Sequence, residues 1–173
     1  LKIYDKPVMY FPRFFHPDPS VKRQSGFLKP SFGNSRLLGA AVNTPYFHVI
    51  SDSADLTAKP RIFSATRYLL QSEYRKVTKN SSNIIDFSVN NDDLRAENGT
   101  KTHFFLNSLI NLNSSAFDNG KLDIKLERTS NDGYLKLYSL ENENTIIQDT
   151  STLESIIEFK GDKNDFIFNA SFE

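Results

Sequence analysis

Lys121 to Arg128, KLDIKLER, is the stretch on which the fold class turns. Its alternation puts Leu122, Ile124 and Leu126 on one face and Lys121, Asp123, Lys125 and Glu127 on the other, the period of a strand with one oily and one wet side. The same pattern recurs outward along the chain. DFIFNASF, residues 165 to 172, sets Phe166, Phe168, Ala170 and Phe172 against mostly polar alternates. ADLTAKPRIF, residues 54 to 63, opposes Leu56, Ala58, Pro60 and Ile62 to Asp55, Thr57, Lys59 and Arg61. RYLLQSEYRK, from Arg67, opposes Tyr68, Leu70 and Tyr74 to Arg67, Gln71, Glu73 and Arg75. Weaker strand candidates fill residues 83–89, 101–108, 134–140 and 152–159, between turn-rich clusters such as TKNSSN at 78 and TSNDG at 129. No segment carries a convincing helical period. The expected fold is an all-β antiparallel meander with loops of alternating shorter and longer length.

Composition narrows the functions open to such a meander. With 173 residues, 38% of them hydrophobic and 13% aromatic, the chain can build packed surface. Lys plus Arg and Asp plus Glu are each 21, so no global field favours nucleic acid, and none is expected as a partner. Cysteine is absent, which removes disulfides, thiolate chemistry and Cys-ligated zinc. Three histidines and the carboxylates form no metal motif, and no metal or cofactor is expected. Neither a nucleophile elbow, a P-loop nor a His-Glu-x-x-His pair is present, so an enzyme is not expected. The sequence begins at Leu1 without a signal peptide, which reads as a fragment of a longer protein. No apolar run could span a membrane as a helix, while spanning by strands stays open.

Two architectures satisfy the period. In a soluble β-sandwich binding module, for instance for carbohydrate, the oily face meets a shared core. In an outer-membrane barrel it meets lipid, and the wet face lines a hydrated lumen. Asp55, Lys59, Arg61, Arg67, Glu73 and Arg75, on consecutive strands, would then be lumen-facing. A solvent-facing sheet would look the same.

Prolines mark two neighbouring strands. SGFLKPSF, residues 25 to 32, holds Pro30, and NTPYFHVI, residues 43 to 50, holds Pro45; neither proline can donate to a ladder. Strict alternation places Leu28, Pro30 and Phe32 on one face, with Ser25, Phe27, Lys29 and Ser31 on the other. Pro45 would share a face with Phe47 and Val49. Pro60, one strand further on, serves as a control for what a proline does away from an edge.

The N-terminal stretch PVMYFPRFFHPDPSVKRQSGFLKPSF closely resembles the lipopolysaccharide-assembly outer-membrane family LptD, also called organic solvent tolerance protein (OstA). The matching elements are Pro7-Val8-Met9-Tyr10-Phe11-Pro12, the run Arg23-Gln24-Ser25-Gly26-Phe27-Leu28-Lys29-Pro30-Ser31, then Pro45-Tyr46-Phe47, and Asp55-Leu56-Thr57-Ala58-Lys59-Pro60-Arg61. Looser likeness continues through Glu73-Tyr74-Arg75 to Asp132-Gly133-Tyr134-Leu135. The resemblance implies that residues 1–22 end a periplasmic jelly roll and that residues 23–173 open a large transmembrane β-barrel in the Gram-negative outer membrane. It implies a translocon component that inserts lipopolysaccharide into the outer leaflet. Its partners would be lipopolysaccharide, outer-membrane lipid, an LptE-like plug lipoprotein in the lumen and an LptA-like periplasmic bridge protein. A lateral gate would lie at Pro30 and Pro45 with Ser25, Gly26, Phe27 and Leu28, and Lys22, Arg23 and Lys29 would meet lipid phosphates.

Overall fold

The computed structural model describes residues 2–3, 6–7, 23–64, 67–91, 100–114, 117–140, 152–164 and 166–173. Near the N-terminus β1 (Lys2–Ile3) pairs antiparallel with β2 (Lys6–Pro7) as a separate two-stranded sheet. The strands that follow are β3 (Gly26–Phe27), β4 (Ser31–Ser35), β5 (Gly39–Asn43), β6 (Tyr46–Ser51), β7 (Ala54–Phe63) and β8 (Arg67–Val77). They continue as β9 (Ser81–Asn91), β10 (Thr102–Ser114), β11 (Phe117–Thr129), β12 (Ile156–Lys163) and β13 (Phe166–Phe172). These make one 11-stranded antiparallel sheet in which each strand from β7 to β13 pairs with its neighbour in sequence. KLDIKLER lies inside β11, and the all-β meander expected from its period is the fold observed.

The two faces of the sheet differ in chemistry and in exposure. Cross-strand register puts Asp55, Arg75, Thr57, Glu73, Asp86 and Phe105 on one side, and that side is the shielded one. Gln71 and Asp86 are fully buried, and Ser88, Asn90, His103 and Glu127 nearly so. The opposite side carries Phe32, Ile62, Tyr68, Phe104 and Phe168, all more exposed than about two-fifths of their surface. Leu122, Ile124 and Leu126 stand on this outer side, and Lys121, Asp123, Lys125 and Glu127 on the inner one. A sandwich would cover the oily face with a second sheet. Among the described residues no second sheet of the kind lies on that face. The sheet thus has a shielded polar face and an exposed oily one. Among the described residues no helix is long and apolar enough to cross a membrane, which says nothing of a barrel.

At one end the short connections 52–53 and 78–80 join strands; at the other β4 reaches β5 across 36–38, β7 reaches β8 across 64–66, β9 reaches β10 across residues 92–101 and β11 reaches β12 across 130–155. The described part of the longer loop folds back over the inner face. Residues 134–140, expected as a weak strand, contain instead α1 (Tyr134–Leu137). Period two would divide their apolar side chains between opposite faces, whereas a helical turn gathers Tyr134, Leu135 and Tyr138 on one. With Leu140 they are buried against Leu38, Phe63, Leu69 and Phe105, which is the apolar core of the described chain. That core sits inside the polar face, under the loop.

Candidate functional site

The passes through SGFLKPSF and NTPYFHVI are both broken. β3 and β4 are halves of one strand interrupted at residues 28–30, and β5 and β6 are halves of a second interrupted at 44–45. Gly26 faces Phe47 and Phe27 faces Tyr46, but beyond the break Ser31 faces Asn43. Three residues of the first strand therefore oppose two of the second, a one-residue bulge. This corrects the strict alternation read from sequence: Phe27 and Phe32, five positions apart, stand on the same outer face. Phe27 is 80% exposed and packs edge-on to Tyr46 at 5.0 Å between centroids.

Hydrogen-bond geometry at the break follows from which way each peptide points. Leu28 N–H donates to the Pro45 carbonyl at 2.8 Å, so these two form the kind of pair that normally exchanges two bonds. Pro45 has no N–H to return. Thr44 N–H donates to the Pro60 carbonyl at 3.2 Å, and Pro60 likewise returns nothing. Pro60 stays inside β7, opposite Leu70, yet its missing donor faces the break in its neighbour. It is thus no independent control, because Pro45 and Pro60 weaken adjacent rungs. Pro30, within the break of the edge strand, offers no donor either.

Side chains hold what the ladder does not. Ser25 Oγ accepts the Val49 N–H at 2.8 Å and lies 3.5 Å from His48 Nδ1. Arg23 pairs with Asp55, and its guanidinium lies over the Phe47 ring at 5.5 Å. Asp55 is buried and takes a second arginine, with Arg75 Nε at 2.9 Å; Arg75 also lies 3.5 Å from Glu73. Three sequence elements far apart in the chain, around Arg23, Pro45 and Asp55, thereby meet at one place. Of the residues expected to meet phosphate, Arg23 is in this cluster, Lys29 is exposed within the break, and Lys22 lies outside the described residues. Asp55, Lys59, Arg61, Arg67, Glu73 and Arg75 all stand on the polar face, and Lys59 and Arg67 are half-buried.

Sequence reasoning missed a second cluster, beneath α1. Ser88 Oγ lies 2.5 Å from His103 Nδ1 and 2.8 Å from the Tyr134 hydroxyl. Gln71 Nε2 donates to Asp86 Oδ2 at 3.1 Å. His103 Nε2 is 3.3 Å from Asp86 Oδ1, near enough for attraction but out of line for a hydrogen bond. Asn90 donates to the Tyr138 hydroxyl at 2.6 Å, and Arg61 Nη1 to the Tyr138 carbonyl at 2.8 Å. Burial pushes the Tyr134 hydroxyl up to about 12, against the pull of its Ser88 hydrogen bond. The Ser, His and Asp here touch one another, but the helix seals them, so they latch a loop and offer no open nucleophile. His103, an isolated strand residue by sequence, is placed by a register that pairs it with Ser88. Among the described residues no group of three or more His, Asp and Glu could hold a metal.

The family described as LptD protein matches residues 1–171. The chain is similar to the LPS-assembly protein LptD of Pseudoalteromonas translucida (strain TAC 125), 32% identical over 136 residues, covering 78% of this chain and 18% of that protein. The protein of the same name from Pseudomonas aeruginosa (strain UCBPP-PA14) is 35% identical over 92 residues, 53% of this chain and 10% of that one. The counterpart in Cupriavidus pinatubonensis is 30% identical over 127 residues, covering 68% and 16%. The chain thus spans less than a fifth of the length of these relatives.

Proposed function

The chain belongs to the LptD family, and from that premise we propose that it supplies the first strands of an outer-membrane β-barrel through which lipopolysaccharide reaches the outer leaflet. Residues 23–173 form the opening wall of that barrel, and residues 1–22 join it to a periplasmic jelly roll. The lipid leaves sideways at the edge formed by β3 and β4, the lateral gate. The observation that carries this reading is the interrupted ladder: backbone donors are missing at Pro30, Pro45 and Pro60, all within the first three passes of the sheet.

The physical reasoning runs through the cost of unpaired carbonyls. In hydrocarbon each costs on the order of several kcal/mol, so a wall with such gaps is held less tightly than its neighbours. Pro30 acts on the outermost rung, the one a closing strand would share. Pro45 and Pro60 soften the two rungs behind it, so the first strand can bend away without unpairing β7 from β8. The end that carries the connections 52–53 and 78–80 is periplasmic and the end that carries the two long loops extracellular, the usual arrangement in such barrels. The polar inner face provides for the glycan, and the oily outer face for acyl chains. An LptE-like lipoprotein in the lumen and an LptA-like bridge upstream complete the assembly. Passing an intact lipid makes no bond, so the reading asks for no catalytic group.

The test replaces Pro30 and Pro45 by alanine in the full-length protein and places a photo-crosslinking residue at Phe27. Slower delivery to the outer leaflet, with less lipopolysaccharide captured at position 27, is expected. Unchanged delivery and capture in both variants would overturn the weak-seam reading.

A further inference from the structure

Arg23 and Asp55 are an unequal pair. Asp55 is buried, with 5% of its side chain exposed, and it holds a second arginine besides Arg23, with Arg75 Nε at 2.9 Å. The Arg23 side chain is 44% exposed and lies in residues 23–25, just before β3. Among the described residues that stretch and β3 are held otherwise by two register pairs with β6, the Leu28 bond to Pro45, Ser25 on the Val49 amide, Phe27 against Tyr46, and Arg23 itself on the Asp52 carbonyl at 3.4 Å. Removing one partner of a buried pair is costly when it strands a charge. Here Arg23 can leave without stranding Asp55. The guanidinium that leaves is a planar double donor, suited to a phosphate as well as to a carboxylate.

We propose that Arg23 is an exchangeable clasp. It holds the lower end of the first strand against Asp55 until a phosphate of the arriving lipid takes the guanidinium in exchange, freeing residues 23–28 to swing from β6. Asp55 is the positioning residue of this step, and Arg75 is the reserve counter-ion that keeps the buried carboxylate compensated after Arg23 departs. Glu73 takes part by approaching the same Arg75 Nε, at 3.5 Å. Ligand arrival and seam release then become one event. The proposal rests on the gate reading above, in that the strand released is the one bordering the seam.

The experiment uses full-length protein with its lumen lipoprotein in liposomes, spin-labelled at Gln24→Cys and Lys79→Cys, both outside the strands. Three additions are compared: bis-phosphorylated lipid A, the same lipid A with both phosphates removed, and inorganic phosphate. The expected result is a longer, broader distance with phosphorylated lipid A alone. R23A should populate that state without lipid, raising it roughly twofold to fivefold, the range of a half-exposed ion pair. R23K, a point charge without the planar fork, should fall between, and R75A should make release harder because Asp55 then depends on Arg23. A response to dephosphorylated lipid A equal to that of the phosphorylated form overturns the clasp. So does an R23A distance identical to wild type, and movement with inorganic phosphate alone shows a general anion site uncoupled from cargo and also overturns it. Photo-capture at Phe27 is read in the same samples. Capture with a static Gln24 label sinks the clasp and leaves the gate, whereas movement without capture sinks the gate reading.

Discussion

The loop over the inner face should detach in alkali, and by a calculable amount. Tyr134 is fully buried, its hydroxyl on Ser88, with a pKa pushed up from 10.0 to about 12. A raised pKa means the docked state keeps the proton that the free loop would surrender. Its contribution is therefore complete below pH 10 and fades as the pH climbs to 12. The slope is about 1.4 kcal/mol per pH unit, giving a total of roughly 3 kcal/mol, enough to shift a docking equilibrium by about two powers of ten. An environment-sensitive fluorophore on Lys136→Cys, an exposed position of α1, reports the undocking. Other tyrosines and the lysines titrate in the same range, so the quantity to compare is the difference between wild type and Y134F. Y134F gives up one hydrogen bond, costing about 1 kcal/mol at neutral pH, and should show a shallower alkaline limb. If both proteins undock along the same curve, Tyr134 is not the titrating latch and its burial has been misread.

Leu106 and Asn107 adjoin on β10 but face outward and inward respectively, and Lys125 lies across from Asn107. L106E should cost about 2 kcal/mol or more in assembly-coupled stability while N107E stays within about 0.5 kcal/mol; equal costs in lipid denaturation curves would contradict the assignment of faces. A Cβ at Gly161 would stand 2.8 Å from Phe117 and 2.9 Å from Phe159, so G161V should lower stability by about 1–3 kcal/mol through displaced rings, and an unchanged melting temperature would speak against that packing. Asn90 bridges the Tyr138 hydroxyl and the Lys101 amide; N90A should loosen the loop by about 1–3 kcal/mol, seen as faster proteolysis within residues 130–140, and wild-type cleavage rates would rule out that role.

Much of the sheet was readable because its period is two and its faces differ in chemistry. KLDIKLER and ADLTAKPRIF sort their side chains without reference to any neighbour, and the structure keeps that sorting. Which face is inside was not readable, since periodicity is blind to what surrounds the sheet. Only the burial of Gln71 and Asp86 against the exposure of Ile62 and Tyr68 decides it. The bulge at residues 28–30 was illegible for a related reason: an extra residue reverses every later side chain, and nothing local announces it. The Tyr134 helix was misread because seven residues with apolar groups at most positions fit either period. His103, Ser88 and Tyr134 meet through register and loop closure across up to 46 residues, a distance at which spacing carries no signal.

The broken passes make physical sense once the two kinds of bond at the seam are compared. A regular ladder is cooperative, and opening one rung in hydrocarbon leaves two unpaired groups with no water to take them. At the prolines part of that cost is already built in, because the Pro45 and Pro60 donors never existed. What remains on the first strand is chiefly side-chain attachment: Arg23 on Asp55, Ser25 on Val49, Phe27 on Tyr46. Each of these can be exchanged for a contact of like chemistry, phosphate for carboxylate, water for hydroxyl, acyl chain for ring. In the gate proposed above, a strand held this way would part from its neighbour without unfolding the wall behind it. β7 and β8, paired along ten residues and carrying both Asp55 and Arg75, would stay in place as the fixed jamb.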